Sequence, residues 1–163
     1  MKTRKTTRAK RVAKRVAKRT AKPTVKSAST VHRQGPRIGL EATIERVVQP
    51  EHTIQAVNPN LPAVFSTPSM IGLMEHASVV AVLPDLPPGV ITVGTRIEVD
   101  HLKAVGPGAT VQASARFVEY QGRFLVFDVE ARSGEHVIGR GRVFRAMVEP
   151  EKHGAKAKAR VQK

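Results

Sequence analysis

The sequence predicts an α+β domain in which an antiparallel β-sheet wraps around one long apolar helix. Three observations carry that expectation. A helix opening at Thr67-Pro68-Ser69 is apolar on nearly every side, runs of alternating polarity follow it, and glycine-containing turns separate those runs. A helix that is apolar all round has to be buried. A sheet built of consecutive hairpins is the economical cover for it.

The elements follow in order. Leu40 to Gln49 alternates well enough for a first strand. Residues 50–66 hold Pro50, Pro59 and Pro62 with Asn58 and Asn60, and read as an irregular connection. Thr67 is placed as N-cap of the helix and Pro68 at its first position; the helix continues through MIGLMEHASVVAVL and stops before Pro84. Val90–Val105 reads as a long strand ending at a Gly106-Pro107-Gly108 turn. Thr110–Tyr120 alternates cleanly, with Val111, Ala113, Ala115 and Phe117 on one face. Gln121-Gly122 turns the chain into Arg123–Arg132, and Ser133-Gly134 turns it into His136–Val148.

Charge divides the 163 residues into three parts. Residues 1–34 carry 13 Lys/Arg and no acid, and residues 151–163 carry five Lys/Arg and one acid, although the whole chain has a net charge of +15. The span 35–150 therefore sums to −2, and the basicity belongs to the two tails. Residues 9–24 repeat as AKRV AKRV AKRT AKPT. Such a segment has too thin an apolar stripe to join a core, and is expected to be a disordered tail. It is also suited to binding a polyanion such as nucleic acid by counterion release, and a transit peptide is a third reading. The C-terminal basic segment reads as solubilising.

Several chemistries are excluded. With no cysteine there is no thiol nucleophile, disulfide or Cys-ligated zinc. No apolar run approaches a membrane span, so a soluble, cytoplasmic protein is expected. There is no GxSxG, HExxH or P-loop, and neither metal nor cofactor is implied. Gly139-Arg140-Gly141 reads as a bulge or a close packing point inside a strand.

Two polar residues sit against the pattern. Glu75 lies in the middle of the apolar helix, where it needs a partner, a wet cavity or a raised pKa; alternatively the helix turns Glu75 and His76 to solvent at one edge. His101 shares a strand face with Ile97 and Val99, a place where a histidine is more often a satisfied core residue than a catalyst.

Taken together, Phe65-Ser66-Thr67-Pro68-Ser69-Met70-Ile71-Gly72-Leu73-Met74-Glu75, then Val93-Gly94-Thr95, Val99-Asp100-His101, and Gly139-Arg140-Gly141 ahead of Arg145, resemble the hotdog-fold thioesterases related to fluoroacetyl-CoA thioesterase. The resemblance spans about residues 36–150. It implies a hotdog fold, hydrolysis of a short or medium acyl-CoA thioester to the free acid and CoA, and a homodimer whose two sites are each completed by both subunits. The catalytic roles fall on Thr67, Glu75 and His101. The substrate-binding roles fall on Gly94, Leu61, Phe65 and Arg145.

Two departures stand out. The family's lid phenylalanines correspond here to Leu61 and Asn58, so selectivity for a fluorinated acyl group is not expected. Arg142-Val143-Phe144-Arg145 replaces a Thr-His-Glu-Arg run and keeps only the arginine. Thioester chemistry asks for one base, an activated water or nucleophile, and donors for an oxyanion; the helix N-terminus beside Thr67 is a natural donor site. Eight helical residues span about 12 Å, so Thr67 and Glu75 cannot touch on one straight helix. The alternative of another class is a hotdog acyl-binding or structural module whose basic tail acts on nucleic acid. A hotdog lyase or hydratase is a further alternative.

Overall fold

Residues 35–154 are described by the computed structural model. The two basic tails expected at 1–34 and 151–163 fall outside it, apart from the exposed residues 151–154. Within the described span the order is strand β1 (Glu41–Val47), helix α1 (Thr67–Val82), then β2 (Ile91–His101), β3 (Thr110–Gln121), β4 (Phe124–Ser133) and β5 (His136–Val148). The five strands form one antiparallel sheet in the order β1-β3-β4-β5-β2, so β1 and β2 are its edges. This is the expected antiparallel sheet, with one apolar helix packed against it.

The alternation of β3 decides which face is inner. Val111, Ala113, Ala115 and Phe117 are buried, and the register sets Ala113, Ala115 and Phe117 opposite Ala131, Val129 and Phe127 of β4. The helix supplies Met70, Leu73, Met74, Ala77, Ala81 and Val82 to the same core. Two differences from the pattern matter for function. The strand after the helix ends at His101 instead of running to Val105, and the helix is not covered all round. It packs mainly on β3 and β1. Its flank toward β2 and β5 stays open, so Gly72 and His76 are exposed and Ile71 and Glu75 half-buried.

Residues 50–66 are less irregular than their prolines suggested. Two short 3₁₀ turns, Pro50–His52 and Ile54–Ala56, fold the segment back. A bridge between Thr53 and Phe65 then closes it. The Phe65 amide also donates to the Val105 carbonyl at 2.7 Å, tying the segment to the stretch after β2. The Gly139–Gly141 pair is a close packing point: a Cβ at Gly139 would overlap the Met70 side chain, and one at Gly141 would overlap the Glu98 carbonyl.

Candidate active site

Helix α1 begins one residue earlier than its sequence suggests. Ser66 is the N-cap, in extended conformation at φ −79° and ψ 148°, and its side chain accepts from the Ser69 amide. Thr67, expected as the cap, is instead the first helical residue. The correction has a chemical consequence. A serine at position 66 reaches the third helical amide, which leaves the Thr67 hydroxyl for another partner.

That partner is His101. The Thr67 Oγ1 lies 2.9 Å from His101 Nδ1, across from the helix start to the end of β2. On the far side of the ring, Nε2 lies 3.2 Å from the Lys103 carbonyl oxygen. A carbonyl only accepts, so Nε2 carries the proton. In the neutral ring Nδ1 is then an acceptor, and the Thr67 hydroxyl donates to it. A hydroxyl donating to an imidazole whose other nitrogen is fixed by an acceptor is the arrangement of an activated nucleophile.

Glu75 heads a second cluster, two turns further along α1. Arg145 Nη1 donates to Glu75 Oε1 at 3.1 Å. The same guanidinium donates through Nε to Thr92 Oγ1 at 3.0 Å and through Nη2 to the Thr92 carbonyl at 3.0 Å. Arg145 is only 5% exposed, and no buried side-chain polar atom among the described residues lacks a partner. Burial pulls the guanidinium below its usual pKa, while the neighbouring Glu75 carboxylate opposes that shift. Both sequence readings of Glu75 hold at once: it has a buried partner, and its side chain is 31% exposed at the helix edge.

Gly94 lies against this carboxylate. A Cβ there would overlap Glu75 Oε1. Gly94 is opposite Arg145 in the β2–β5 register, and the register shifts between Gly94 and Arg96. Such a bulge re-aims an edge strand beside a site. Glu75, Gly94, Thr95, Arg96 and Ile97 line an open recess of about 550 Å³. A larger concavity of about 920 Å³ lies on the opposite face of the sheet. Its lining is a cross-strand charge row in which Glu41, Arg116, Asp128 and Arg142 face one another in turn. Charges of alternating sign satisfy each other there, and no imidazole is among the lining residues.

The remaining named residues divide. Leu61 is exposed on the 50–66 segment, whereas Phe65 is 1% exposed and packs edge-on to His52 in the core. Arg145 points into the Glu75 cluster. The geometry thus gathers Thr67 with His101, and Glu75 with Gly94 and Arg145, as two half-sites on one flank of the helix. Thr92 and the Lys103 carbonyl went unrecognised in the sequence. Thr92 could have been found: it shares the period-2 face of Gly94, and an inward arginine at 145 needs more than one acceptor. A backbone carbonyl has no sequence signal.

Residues 48–151 match the fluoroacetyl-CoA-specific thioesterase family. The chain belongs to that family. The fluoroacetyl-CoA thioesterase of Streptantibioticus cattleyicolor is 39% identical over 132 residues, covering 77% of this chain and 95% of that protein. A solved structure of the fluoroacetyl-CoA thioesterase superposes with a TM-score of 0.72 at 39% identity, over 77% of this chain and 97% of that one. A thioesterase-superfamily member from Thermus thermophilus gives a TM-score of 0.71 at 30% identity, over 77% of this chain and 93% of its own. A hot-dog-like protein from Thermanaerovibrio acidaminovorans, 21% identical with a TM-score of 0.69 over 76% of this chain and 91% of that one, shares the fold. The fold is therefore a hotdog, and the protein is a thioesterase, a hydrolase of thioesters.

Proposed function

We propose that this thioesterase hydrolyses short or medium acyl-CoA to the free acid and CoA, with Thr67, Glu75 and His101 as its catalytic residues. The observation that carries the assignment is the Thr67 hydroxyl donating to His101 Nδ1 while Nε2 is held by the Lys103 carbonyl. His101 takes the hydroxyl proton as Thr67 Oγ1 attacks the thioester carbonyl carbon. Collapse of the tetrahedral intermediate expels the CoA thiolate, a good leaving group with a thiol pKa of about 8.5. Water then attacks the acyl-threonine ester, with Glu75 taking its proton. The second tetrahedral intermediate releases the free acid as Thr67 Oγ1 leaves and recovers its proton from His101. Gly94 places the acyl thioester through its own backbone and lets the Glu75 carboxylate approach β2 closely, and Leu61 borders the acyl entrance.

The acting unit in this proposal is a homodimer. Thr67 and Glu75 stand two helical turns apart, about 12 Å, so one chain carries two half-sites. Strand β2 is an edge with 11 residues and with Ile91 and Ile97 exposed on it. Antiparallel pairing of β2 with its copy, centred near Ile97 and Glu98, puts His101 beside the partner's Gly94. The Thr67–His101 pair of one protomer then faces Glu75 of the partner subunit. Family membership favours this enzyme over a module that merely binds acyl groups.

The test is free-thiol release from an acyl-CoA panel running from acetyl to octanoyl, with fluoroacetyl-CoA included. Hydrolysis of the shorter members is expected, with acetyl- and fluoroacetyl-CoA turned over at similar efficiency because Leu61 and Asn58 replace the lid aromatics. A flat panel overturns the assignment. The proposed location is the cytoplasm, where acyl-CoA is made; among the described residues no helix is long and apolar enough to cross a membrane. The acid-free basic segment 1–34, with 13 Lys/Arg, is proposed to bind nucleic acid without sequence preference. A salt titration against DNA comparing the full chain with residues 35–163 tests it, and equal binding by both removes the proposal.

A further inference from the structure

We infer that Thr92 is a positioning residue of this site, one that orients the Arg145 fork so that Glu75 is held through Oε1 alone and keeps Oε2 for the reacting water. The inference deepens the hydrolase reading and rests on it.

Arg145 makes three hydrogen bonds, and two of them go to Thr92: Nε to the hydroxyl and Nη2 to the carbonyl, both at 3.0 Å. Those two contacts fix the plane of the guanidinium from one side. Only Nη1 is left pointing at Glu75, at 3.1 Å from Oε1. A free arginine prefers to grip a carboxylate with two parallel N–H bonds, one to each oxygen. Here that fork is committed elsewhere, and Glu75 receives a single-point contact. Among the described residues no hydrogen bond reaches Oε2, and the carboxylate borders the recess shared with Gly94 and Ile97. The acceptor capacity needed to take a proton from water is thereby preserved.

Thr92 is placed for this by the strand. It is two residues from Gly94, so both share the inner face of β2, and the register sets Gly94 opposite Arg145. Thr92 is itself buried, so its hydroxyl has no water to compete with Arg145. Removing that hydroxyl alone frees Nε. The guanidinium can then rotate about its stem and close on both oxygens of Glu75, which ties up the base without removing any catalytic residue.

The experiment uses the full chain carrying Thr92→Val, which deletes the hydroxyl at nearly constant shape, and Thr92→Ser, which keeps it. Turnover is measured on the acetyl- to octanoyl-CoA panel, and exchange of the Arg145 Nε–H is followed by nitrogen-15 NMR. The expected result for Thr92→Val is a kcat lowered about tenfold, with KM within about twofold of wild type and a faster-exchanging Nε–H. Thr92→Ser is expected to restore both. The inference is overturned by a Thr92→Val enzyme with wild-type kcat, by unchanged Nε–H exchange, or by a serine variant as impaired as the valine one. A wild-type chain inactive on the whole panel defeats the hydrolase reading instead. In that case the exchange measurement alone decides whether Thr92 holds Arg145.

Discussion

The two ends of the open helix flank are built on opposite principles. At the start of α1, Thr67 is exposed and His101 half-buried, and their contact is between neutral groups. At the middle of α1, Glu75 is anchored to a buried guanidinium that is held in turn by β2. A hydroxyl–imidazole contact at the surface costs little to form and little to break, which suits the proton exchange proposed for Thr67 and His101. A carboxylate beside a buried cation is part of the fold's own electrostatics and cannot be removed without disturbing the fold. In the proposed mechanism the nucleophile belongs to the first end and an anchored base to the second.

The strongest way to break that comparison is His101→Ala. Turnover should fall by about 10²–10⁴-fold through loss of the base. The melting temperature should stay close to wild type, because an exposed neutral contact contributes within about 0.5 kcal/mol. A large loss of stability would show that the Thr67 end is structural after all.

Glu75→Gln should also lower kcat by roughly 10²-fold, but with a different companion effect. It leaves Arg145 buried beside a neutral amide, which should cost about 1–3 kcal/mol in denaturant unfolding. The partial exposure of Glu75 keeps this below the cost of breaking a fully buried pair. Stability equal to wild type would mean that Arg145 does not depend on the carboxylate.

Gly94→Ala sharpens the comparison from the strand side. A methyl group there overlaps Glu75 Oε1, so the carboxylate must move. About a tenfold loss of kcat is expected, since displacement by about 1 Å can cost up to 10²-fold. A wild-type kcat would show that the carboxylate accommodates the methyl group without leaving its position.

The smallest effect lies away from both ends. Arg37 Nε donates to Asp85 Oδ2 at 2.8 Å, joining the chain entry to the turn after α1. The hydrogen bond from Arg37 holds the Asp85 pKa below its ordinary value. A lowered carboxyl pKa stabilises the fold above the unfolded value, about 3.9, and that stability is lost as pH falls through the folded value. Asp85→Asn should therefore lower the urea midpoint slightly at pH 7, and the difference should vanish in acid. Activity should be unchanged at either pH.

Much of this was legible before any coordinates. Strand β5 begins and ends where the alternation placed it, at His136 and Val148, and Phe117 and Val111 are buried as their period required. Period-2 burial is a local property, written in each strand by its own side chains. The polar residues that broke the pattern, Glu75 and His101, each meet a polar partner from another element, because an apolar element tolerates a polar group only where something answers it.

What the sequence determined by itself was thus the class of the fold, the inner faces of its strands, the division of charge between domain and tails, and the identity of the polar intruders. Their pairing was decided by tertiary structure. Ser66 and Thr67 are both competent caps by type, and only the structure assigns the cap to Ser66 and turns Thr67 toward His101. The apolar helix looked suited to complete burial, yet it packs mainly on β3 and β1 and leaves its other flank open, because a single sheet covers a helix from one side. Arg145 and Glu75 are 70 residues apart in the chain. Periodicity can say that each faces inward, but which strand crosses which helix turn, and at what distance, is fixed by the packing of the whole sheet.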